Sequence, residues 1–208
     1  MDIIVITDPD FLPGEAEIIM RLLDEGAYRV HVRKPAADTR STAHLIEELP
    51  AGYRSRLSLH DHHSIATCLG IGGIHLNSRN PQPPDSFSGL ISRSCHSLEE
   101  IRKYRDECSY MFLSPVFDSI SKEGYRSAFS MEDLRKSGIS LHNVFALGGI
   151  SPDNAALAAS TGFGGVAVLG WLWQQYRHDH DADALLERFR CLFFLQSCQE
   201  LNRFCQMA

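Results

Sequence analysis

The polar run His60-Asp61-His62-His63 follows a short apolar segment and is a first candidate for chemistry. Asp61 is the best single ligand in it for a hard cation such as Mg²⁺, which prefers oxygen. Zinc bound by several histidines is an alternative, although neighbouring side chains at a strand end point in different directions, so all four cannot bind one ion. A capped strand end with His62 and His63 in solvent is the third interpretation. His75 lies within another apolar run, where we expect a hydrogen-bonded interior residue.

A second candidate is the polar loop at 118–124, which contains a glycine that could hinge it. Ser119, Ser121 and Lys122 could donate hydrogen bonds to a pyrophosphate. Lys122 could also neutralise the negative charge that develops on a leaving group. A solvated surface loop is an equally good interpretation of this segment.

A third candidate is Gly148-Gly149-Ile150-Ser151-Pro152, where two glycines follow an apolar run and precede a helical pattern. Glycines let the backbone approach a phosphate, and the first amides of the helix point towards it. Gly170 follows the next apolar run and would supply a second loop of the same kind. The competing interpretation is that these glycines only make tight turns.

Eight short apolar runs recur along the chain, and each has the length and composition of a buried parallel strand. Helical patterns lie between most of them, which predicts a single, small (β/α)₈ TIM barrel over residues 1–208. One helical unit is incomplete, because the segment 77–88 after strand four contains three prolines. An open doubly wound sheet is the alternative, but no early Gly-x-Gly-x-x-Gly supports it. The predicted strands are 3–6, 28–33, 56–59, 73–76, 90–94, 110–115, 143–147 and 165–169, and the predicted helices are 15–25, 39–49, 64–69, 97–104, 130–136, 151–160 and 184–204.

In such a barrel the polar residues that follow the strands share one rim, where the active sites of barrels lie. The set mixes cations, a carboxylate, hydroxyls and glycines, which suits an anionic and phosphorylated ligand. Its members are Asp8, Arg33, Lys34, His60, Asp61, 77–80, Ser94, His96, 119–122, Gly148, Gly149 and Gly170.

The composition excludes several other classes of protein. A net charge of −6 over 208 residues argues against a nucleic-acid partner. No apolar run approaches the ~20 residues that span a bilayer. The first residues carry no basic region, so we expect no signal peptide, and the six cysteines are then expected to be free thiols in the cytoplasm.

The order and spacing of the motifs resemble one family, that of thiamin phosphate synthase and the related thiazole tautomerase. The resemblance extends from about Ile3 to Leu172. The motifs that carry it are Ile6-Thr7-Asp8, His31-Val32-Arg33, Leu59-His60-Asp61, Gly73-Ile74-His75-Leu76, Ser94-Cys95-His96-Ser97, Leu113-Ser114-Pro115-Val116-Phe117, Ser119 to Lys122, Gly148-Gly149-Ile150 and Gly165-Val166-Ala167-Val168.

The resemblance implies a transferase that joins hydroxymethylpyrimidine diphosphate to thiazole phosphate and releases pyrophosphate. It implies three catalytic residues, Arg33 and Lys122 on the pyrophosphate and Ser94 near the departing group. It further implies that Mg²⁺ is held by Asp61, with Asn80 at the place of the family's second acid. The implied substrate-binding residues are His31, His60, Ser119, Ser121, Gly148, Gly149, Leu169 and Gly170.

The chain departs from the family pattern at several of these positions. His31 stands for a glutamine, His60 for an asparagine, and Pro35 for a lysine, although Lys34 is adjacent. Two other functions therefore stay open: a thiazole tautomerase, with His31 or His60 as its acid–base, and a non-catalytic barrel that binds a phosphorylated ligand. The tautomerase is expected to carry a catalytic histidine where this chain has Pro115.

The oligomeric state is open as well. The predicted terminal helix is broadly apolar, so one face would pack on the barrel and the rest could cover a second copy.

Overall fold

The computed structural model describes residues 1–118 and 129–193. Eight parallel strands close into a barrel in sequence order, with the first strand paired to the last. This confirms the predicted (β/α)₈ barrel, and every strand agrees with its predicted run to within two residues at each end. The strands are β1 (Asp2–Ile6), β2 (Arg29–Val32), β3 (Leu57–Leu59), β4 (Gly73–Leu76), β5 (Leu90–Cys95), β6 (Tyr110–Leu113), β7 (Val144–Leu147) and β8 (Gly165–Val168).

Helices cover the outside of the barrel except beside β3 and β4. The unit after β3 has only a 3₁₀ turn (His63–Ile65), and residues 77–89 after β4 contain no helix, which confirms the incomplete fourth unit. Two helices were not predicted from the sequence, a short one at Ala51–Arg54 and a full one at Gly170–Asp179. The helices are α1 (Glu15–Asp24), α2 (Thr39–Glu47), α3 (Ala51–Arg54), α4 (Leu98–Tyr104), α5 (Met131–Lys136), α6 (Pro152–Thr161), α7 (Gly170–Asp179) and α8, which covers 182–193 of the described residues.

The remainder of the predicted terminal helix, 194–204, lies outside the described residues, so a single domain over 1–208 stays a prediction. None of the described helices is long and apolar enough to cross a bilayer. The four cysteines that the structure describes are free thiols.

The interior of the barrel is divided into an apolar side and a polar side. Because side chains alternate along a strand, every second residue points into the barrel. The polar side is formed mainly by buried polar residues in β2 to β5 or directly after β3, which are Arg29, His31, Ser58, His60, His75 and Ser92. The apolar side consists of Ile4, Ile6, Tyr110, Phe112, Phe145 and Ala167.

A buried ion pair fixes the loop after β1. Lys34 donates to both carboxylate oxygens of Glu15, at 2.6 and 2.7 Å, and to the carbonyl oxygens of Asp8 and Asp10, at 2.8 and 2.7 Å. All three of its N–H donors are thus used. The expectation that Lys34 serves the rim is therefore wrong: its side chain is buried beneath the rim and holds the chain together.

Candidate active site

Two groups of predicted site residues lie at the end of the barrel where the strands have their carboxyl ends. Arg33 follows β2, His60 and Asp61 follow β3, Asn80 lies in the loop after β4, and Ser94 lies near the end of β5. These residues form the first group, in which Asn80 donates to Asp61 and to the carbonyl oxygen of His60. Gly148 and Gly149 after β7, with Leu169 and Gly170 after β8, form the second group. The predicted residues Ser119, Ser121 and Lys122 lie outside the described part of the chain.

Asp61 is the centre of the first group. Its Oδ1 accepts hydrogen bonds from Nε and Nη2 of Arg79, at 3.1 and 2.9 Å, and from Nδ2 of Asn80 at 3.3 Å. Its Oδ2 is buried and has no partner among the described residues. Arg79 was not singled out from the sequence, because nothing in its neighbourhood shows that it folds back onto the end of β3.

These residues do not form a cage for Mg²⁺. Asn80 points its amide nitrogen, not its oxygen, at Asp61, and the same nitrogen donates to the carbonyl oxygen of His60 at 3.1 Å. The donor set is then one free carboxylate oxygen beside a guanidinium, whereas Mg²⁺ needs several oxygen ligands in near-octahedral geometry. The two predicted metal residues are neighbours, as expected, but they bind each other and Arg79.

Arg33 is available to an anion. Its backbone N–H donates to the hydroxyl of Thr7 at 3.0 Å, which fixes the chain where β2 ends. Its half-buried guanidinium makes no hydrogen bond or ion pair with any residue that the structure describes. Burial lowers the pKa of Arg33 and the charge of Arg79 lowers it further, while Asp61 and Asp8 oppose both. The charge of Arg33 is therefore influenced by one cation and two carboxylates, and its guanidinium has no acceptor among the described residues.

Three buried histidines lie close together, His60 of this group with His31 and His75. Ring nitrogens of His31, His60 and His75 approach within 4.8 Å of one another, and Nδ1 of His31 lies 2.9 Å from Nε2 of His60. The rings of His60 and His75, however, are stacked, with centroids 4.1 Å apart and an interplanar angle of 21°. Lone pairs lie in the ring planes, so two nearly parallel rings do not aim at one ion. The arrangement is therefore a hydrogen-bonded network rather than a zinc cage.

The other histidines of the run point elsewhere. Nδ1 of His62 contacts the hydroxyl of Thr39 at 3.0 Å and its Nε2 contacts the carbonyl oxygen of Ala37 at 2.9 Å. His63 is buried in the 3₁₀ turn. The expectation that the run cannot act as one ligand set is confirmed, and so is an interior, hydrogen-bonded His75.

His75 orients the hydroxyl of Ser94. The hydroxyl of Ser92 donates to the carbonyl oxygen of Ile74 at 3.2 Å, so it accepts from Nδ1 of His75 at 2.8 Å. That tautomer leaves a lone pair on Nε2, which accepts from the hydroxyl of Ser94 at 2.8 Å. Burial lowers the pKa of His75 to about 3, so the ring stays neutral at physiological pH. Ser94 therefore offers a ligand the lone pairs of its oxygen.

His31 makes the stability of the protein depend on pH. Burial lowers its pKa well below the ordinary value, so the folded protein leaves it neutral while the unfolded chain protonates it below about pH 6.5. Acidification from about pH 7.5 to about pH 5.5 therefore lowers the free energy of unfolding by about 1.4 kcal/mol through His31. His31→Gln should remove that loss, as measured by urea unfolding at the two pH values. His44→Gln, at an exposed histidine of α2, is the matched control; an equal pH dependence in wild type and His31→Gln would contradict the prediction.

The second group presents the N-termini of two helices. Gly148 and Gly149 have φ angles of 93° and 65°, and a Cβ on Gly149 would lie 2.2 Å from the carbonyl oxygen of Asp118. The turn therefore requires glycine at position 149 for packing, independently of any role in ligand binding. The side chain of Asn154 holds it from both sides, accepting from the N–H of Ser151 at 3.0 Å and donating to the carbonyl oxygen of Gly149 at 2.8 Å.

Gly170 is the first residue of α7, and not part of a loop as expected. The first N–H groups of a helix have no acceptor within it. The N-termini of α6 and α7 follow adjacent strands at one edge of the barrel. At α6, however, Pro152 has no N–H and the N–H of Ser151 donates to Asn154, so the start of α7 offers the larger set of amides to a ligand. That arrangement suits a phosphate group.

Comparison with known proteins identifies the family. The family model described as thiamine monophosphate synthase matches residues 3–172. The chain belongs to this family. A solved structure of thiamine phosphate pyrophosphorylase from Bacteroides thetaiotaomicron is 36% identical, covers 95% of this chain and 98% of its own, and superposes with a TM-score of 0.85. Both the predicted family and the fold are thereby confirmed.

More distant relatives agree. The thiamine-phosphate synthase of Desulfitobacterium hafniense is 28% identical over 203 residues, which is 91% of this chain and 94% of that protein. The thiamine-phosphate synthase of Archaeoglobus fulgidus is 26% identical over 177 residues, which is 81% of this chain and 84% of that protein.

Proposed function

We propose that this protein is a thiamin phosphate synthase, a transferase that couples hydroxymethylpyrimidine diphosphate to thiazole phosphate and releases pyrophosphate. The observation that carries the proposal is the pair of anion sites at one end of the barrel of a synthase-family protein. The guanidinium of Arg33, which has no partner among the described residues, suits the diphosphate, and the amides at the start of α7 suit the thiazole phosphate.

The chemistry divides between these two sites. The C–O bond between the pyrimidine methylene carbon and the diphosphate breaks, and the electron pair stays on the leaving oxygen. Arg33 stabilises that developing charge, and Lys122, Ser119 and Ser121 are proposed to act with it. The thiazole nitrogen then forms the new C–N bond to the methylene carbon.

The polar side of the barrel suits the cationic intermediate. Its histidines carry no charge, because burial lowers the pKa of His31, His60 and His75. They therefore do not repel a positive pyrimidine. We propose that Ser94 contacts the pyrimidine near the departing group and that His60 lies beside it, while His31, which is fully buried, supports His60 from below.

The decisive experiment supplies both precursors and identifies the product by mass. The proposal predicts thiamin phosphate and pyrophosphate in equal amounts. Binding of both precursors without a product would refute it. The tautomerase is disfavoured because Pro115, where its histidine is expected, offers no proton and packs against Gly148.

Thiazole phosphate binding is tested at Gly170. An aspartate there adds a negative charge at the start of α7, so Gly170→Asp should weaken thiazole phosphate binding about tenfold, or ~1.4 kcal/mol. A carboxylate at a helix N-terminus does not destabilise the helix, so the thermal midpoint should hold. Gly170→Ser is the matched control and should bind nearly as wild type. Equal affinity of the two variants, measured by calorimetry, would show that the phosphate does not bind at this end of α7.

The remaining expectations stay predictions from the sequence. They are a cytoplasmic location, a homo-oligomer, and no nucleic-acid or membrane partner, whereas the residues around Asp61 do not fit the expected Mg²⁺.

A further inference from the structure

A positive side chain occupies the place where the family resemblance predicts a magnesium ion. Arg79 sits against Oδ1 of Asp61 through two nitrogens, and the amide of Asn80 contacts the same oxygen. The carboxylate that would bind the metal is thus already paired with a cation that belongs to the chain. The second acid is replaced by Asn80, one residue after Arg79.

We propose that Arg79 takes the place of Mg²⁺ in this protein, and that Arg79 and Arg33 together form a metal-independent site for the diphosphate of the pyrimidine substrate. This inference rests on the proposed function, because it assigns the diphosphate to the same site.

Arg79 has donors to spare for a ligand. A guanidinium carries five N–H groups, and Asp61 accepts from only two nitrogens of Arg79. Nη1 has no acceptor among the described side chains and backbone groups. The side chain is 46% exposed, so a diphosphate can reach it. A planar fork of this kind binds phosphate oxygens in pairs.

Arg33 and Arg79 lie at the ends of two adjacent strands. β2 and β3 pair with Val32 beside Leu59, and the N–H of His60 donates to the carbonyl oxygen of Val32 at 3.0 Å, so Arg33 and Asp61 follow at the same edge of the barrel. Arg79 is held at that edge by its contact with Asp61. Asp61 lies in contact with Arg79 and near Arg33, so one carboxylate offsets the repulsion between two guanidiniums. The arrangement leaves a net positive charge for the diphosphate.

The same contacts disfavour a metal. A Mg²⁺ ion on Oδ2 of Asp61 would lie about 2.0–2.1 Å from that oxygen, and therefore close to the guanidinium on Oδ1. Two cations would then share one carboxylate, and Asn80 would have to turn its oxygen towards the ion and give up its bond to His60. Binding of the diphosphate without a metal ion requires neither a second cation on Asp61 nor a rotation of Asn80.

The test is the binding of inorganic pyrophosphate, measured by calorimetry in EDTA and in Mg²⁺. Wild type should bind in EDTA, and Mg²⁺ should change the Kd by less than about threefold. Arg79→Gln should weaken binding in EDTA by at least about tenfold. Arg135→Gln removes the same charge from the exposed last turn of α5 and should bind as wild type. The double variant Arg79→Gln/Asn80→Asp restores the second acid, and it should bind pyrophosphate only when Mg²⁺ is present.

Two results would overturn the inference: wild type that binds pyrophosphate only with Mg²⁺, or Arg79→Gln with unchanged affinity in EDTA. If Arg79→Gln does not fold, Arg79→Lys keeps the charge but loses the fork. It should weaken binding in EDTA severalfold, and unchanged affinity in that variant would also overturn the inference. Pyrophosphate binding that depends on Arg79, in a protein that makes no thiamin phosphate, would support the arginine site and refute the proposed reaction.

Discussion

Replacement of Arg33 by glutamine should lower the turnover of thiamin phosphate formation by about 10²–10³-fold, which is the typical effect of removing one preorganised donor from a developing charge. Arg33 is the predicted catalytic cation that the structure describes, and its guanidinium has no partner among the described residues. The loss should therefore appear in the chemical step, measured as single-turnover formation of thiamin phosphate. Because the guanidinium makes no hydrogen bond or ion pair within the described part of the fold, the thermal midpoint should change little.

Arg40→Gln is the matched control for this prediction. Arg40 is an exposed residue of α2, in the same βα unit as Arg33, and its replacement removes the same charge. Turnover in Arg40→Gln should equal that of wild type. A folded Arg33→Gln protein with wild-type turnover would show that the diphosphate does not depart beside β2.

The barrel was predictable because most strands are short apolar runs that end at a polar residue or a glycine. Buried parallel strands need that pattern, and eight repeats of it leave few other folds. Helix α7 was not predicted because a glycine directly after an apolar run is typical of a turn, whereas Gly170 begins the helix. Its buried residues Leu172, Trp173 and Tyr176 nevertheless have helical spacing, and that spacing was the available signal.

The candidate site was predictable in position but not in its pairings. The sequence and the resemblance place Arg33, Asp61, Asn80 and Ser94 at one end of the barrel, where the structure has them. The partner of Asp61, however, depends on how the loop after β4 folds back, and no local pattern records this. The contact of Arg79 with Asp61 is therefore not predictable from the sequence.

Lys34 shows how adjacency in sequence can mislead. Successive side chains at the end of a strand point to opposite sides, so a lysine beside Arg33 does not share its direction. Arg33 stays near the rim, while Lys34 is buried against Glu15 at the start of α1.

The ion pair of Lys34 and Glu15 should be the costliest interaction to break in the described part of the protein. The exposed fractions of the two side chains are 0% and 2%, so neither charge is solvated. Glu15→Ala leaves the ammonium of Lys34 buried with only two carbonyl oxygens, those of Asp8 and Asp10. Removal of one partner from a buried pair typically costs about 3–5 kcal/mol. We expect a loss of that size in the unfolding free energy, measured with urea at neutral pH.

Glu17→Ala provides the control, because Glu17 lies in the same first turn of α1 but is exposed. Its effect should be within about 0.5 kcal/mol of wild type, as for most surface substitutions. The double variant Glu15→Leu/Lys34→Met replaces both charges by apolar side chains and should recover part of the loss. Recovery should be incomplete, because Lys34 also ties the carbonyl oxygens of the loop after β1 to β2. If Glu15→Ala were no less stable than Glu17→Ala, the buried charge would have another partner, and the loop after β1 would owe its position to the contact of Arg177 with Asp8 instead.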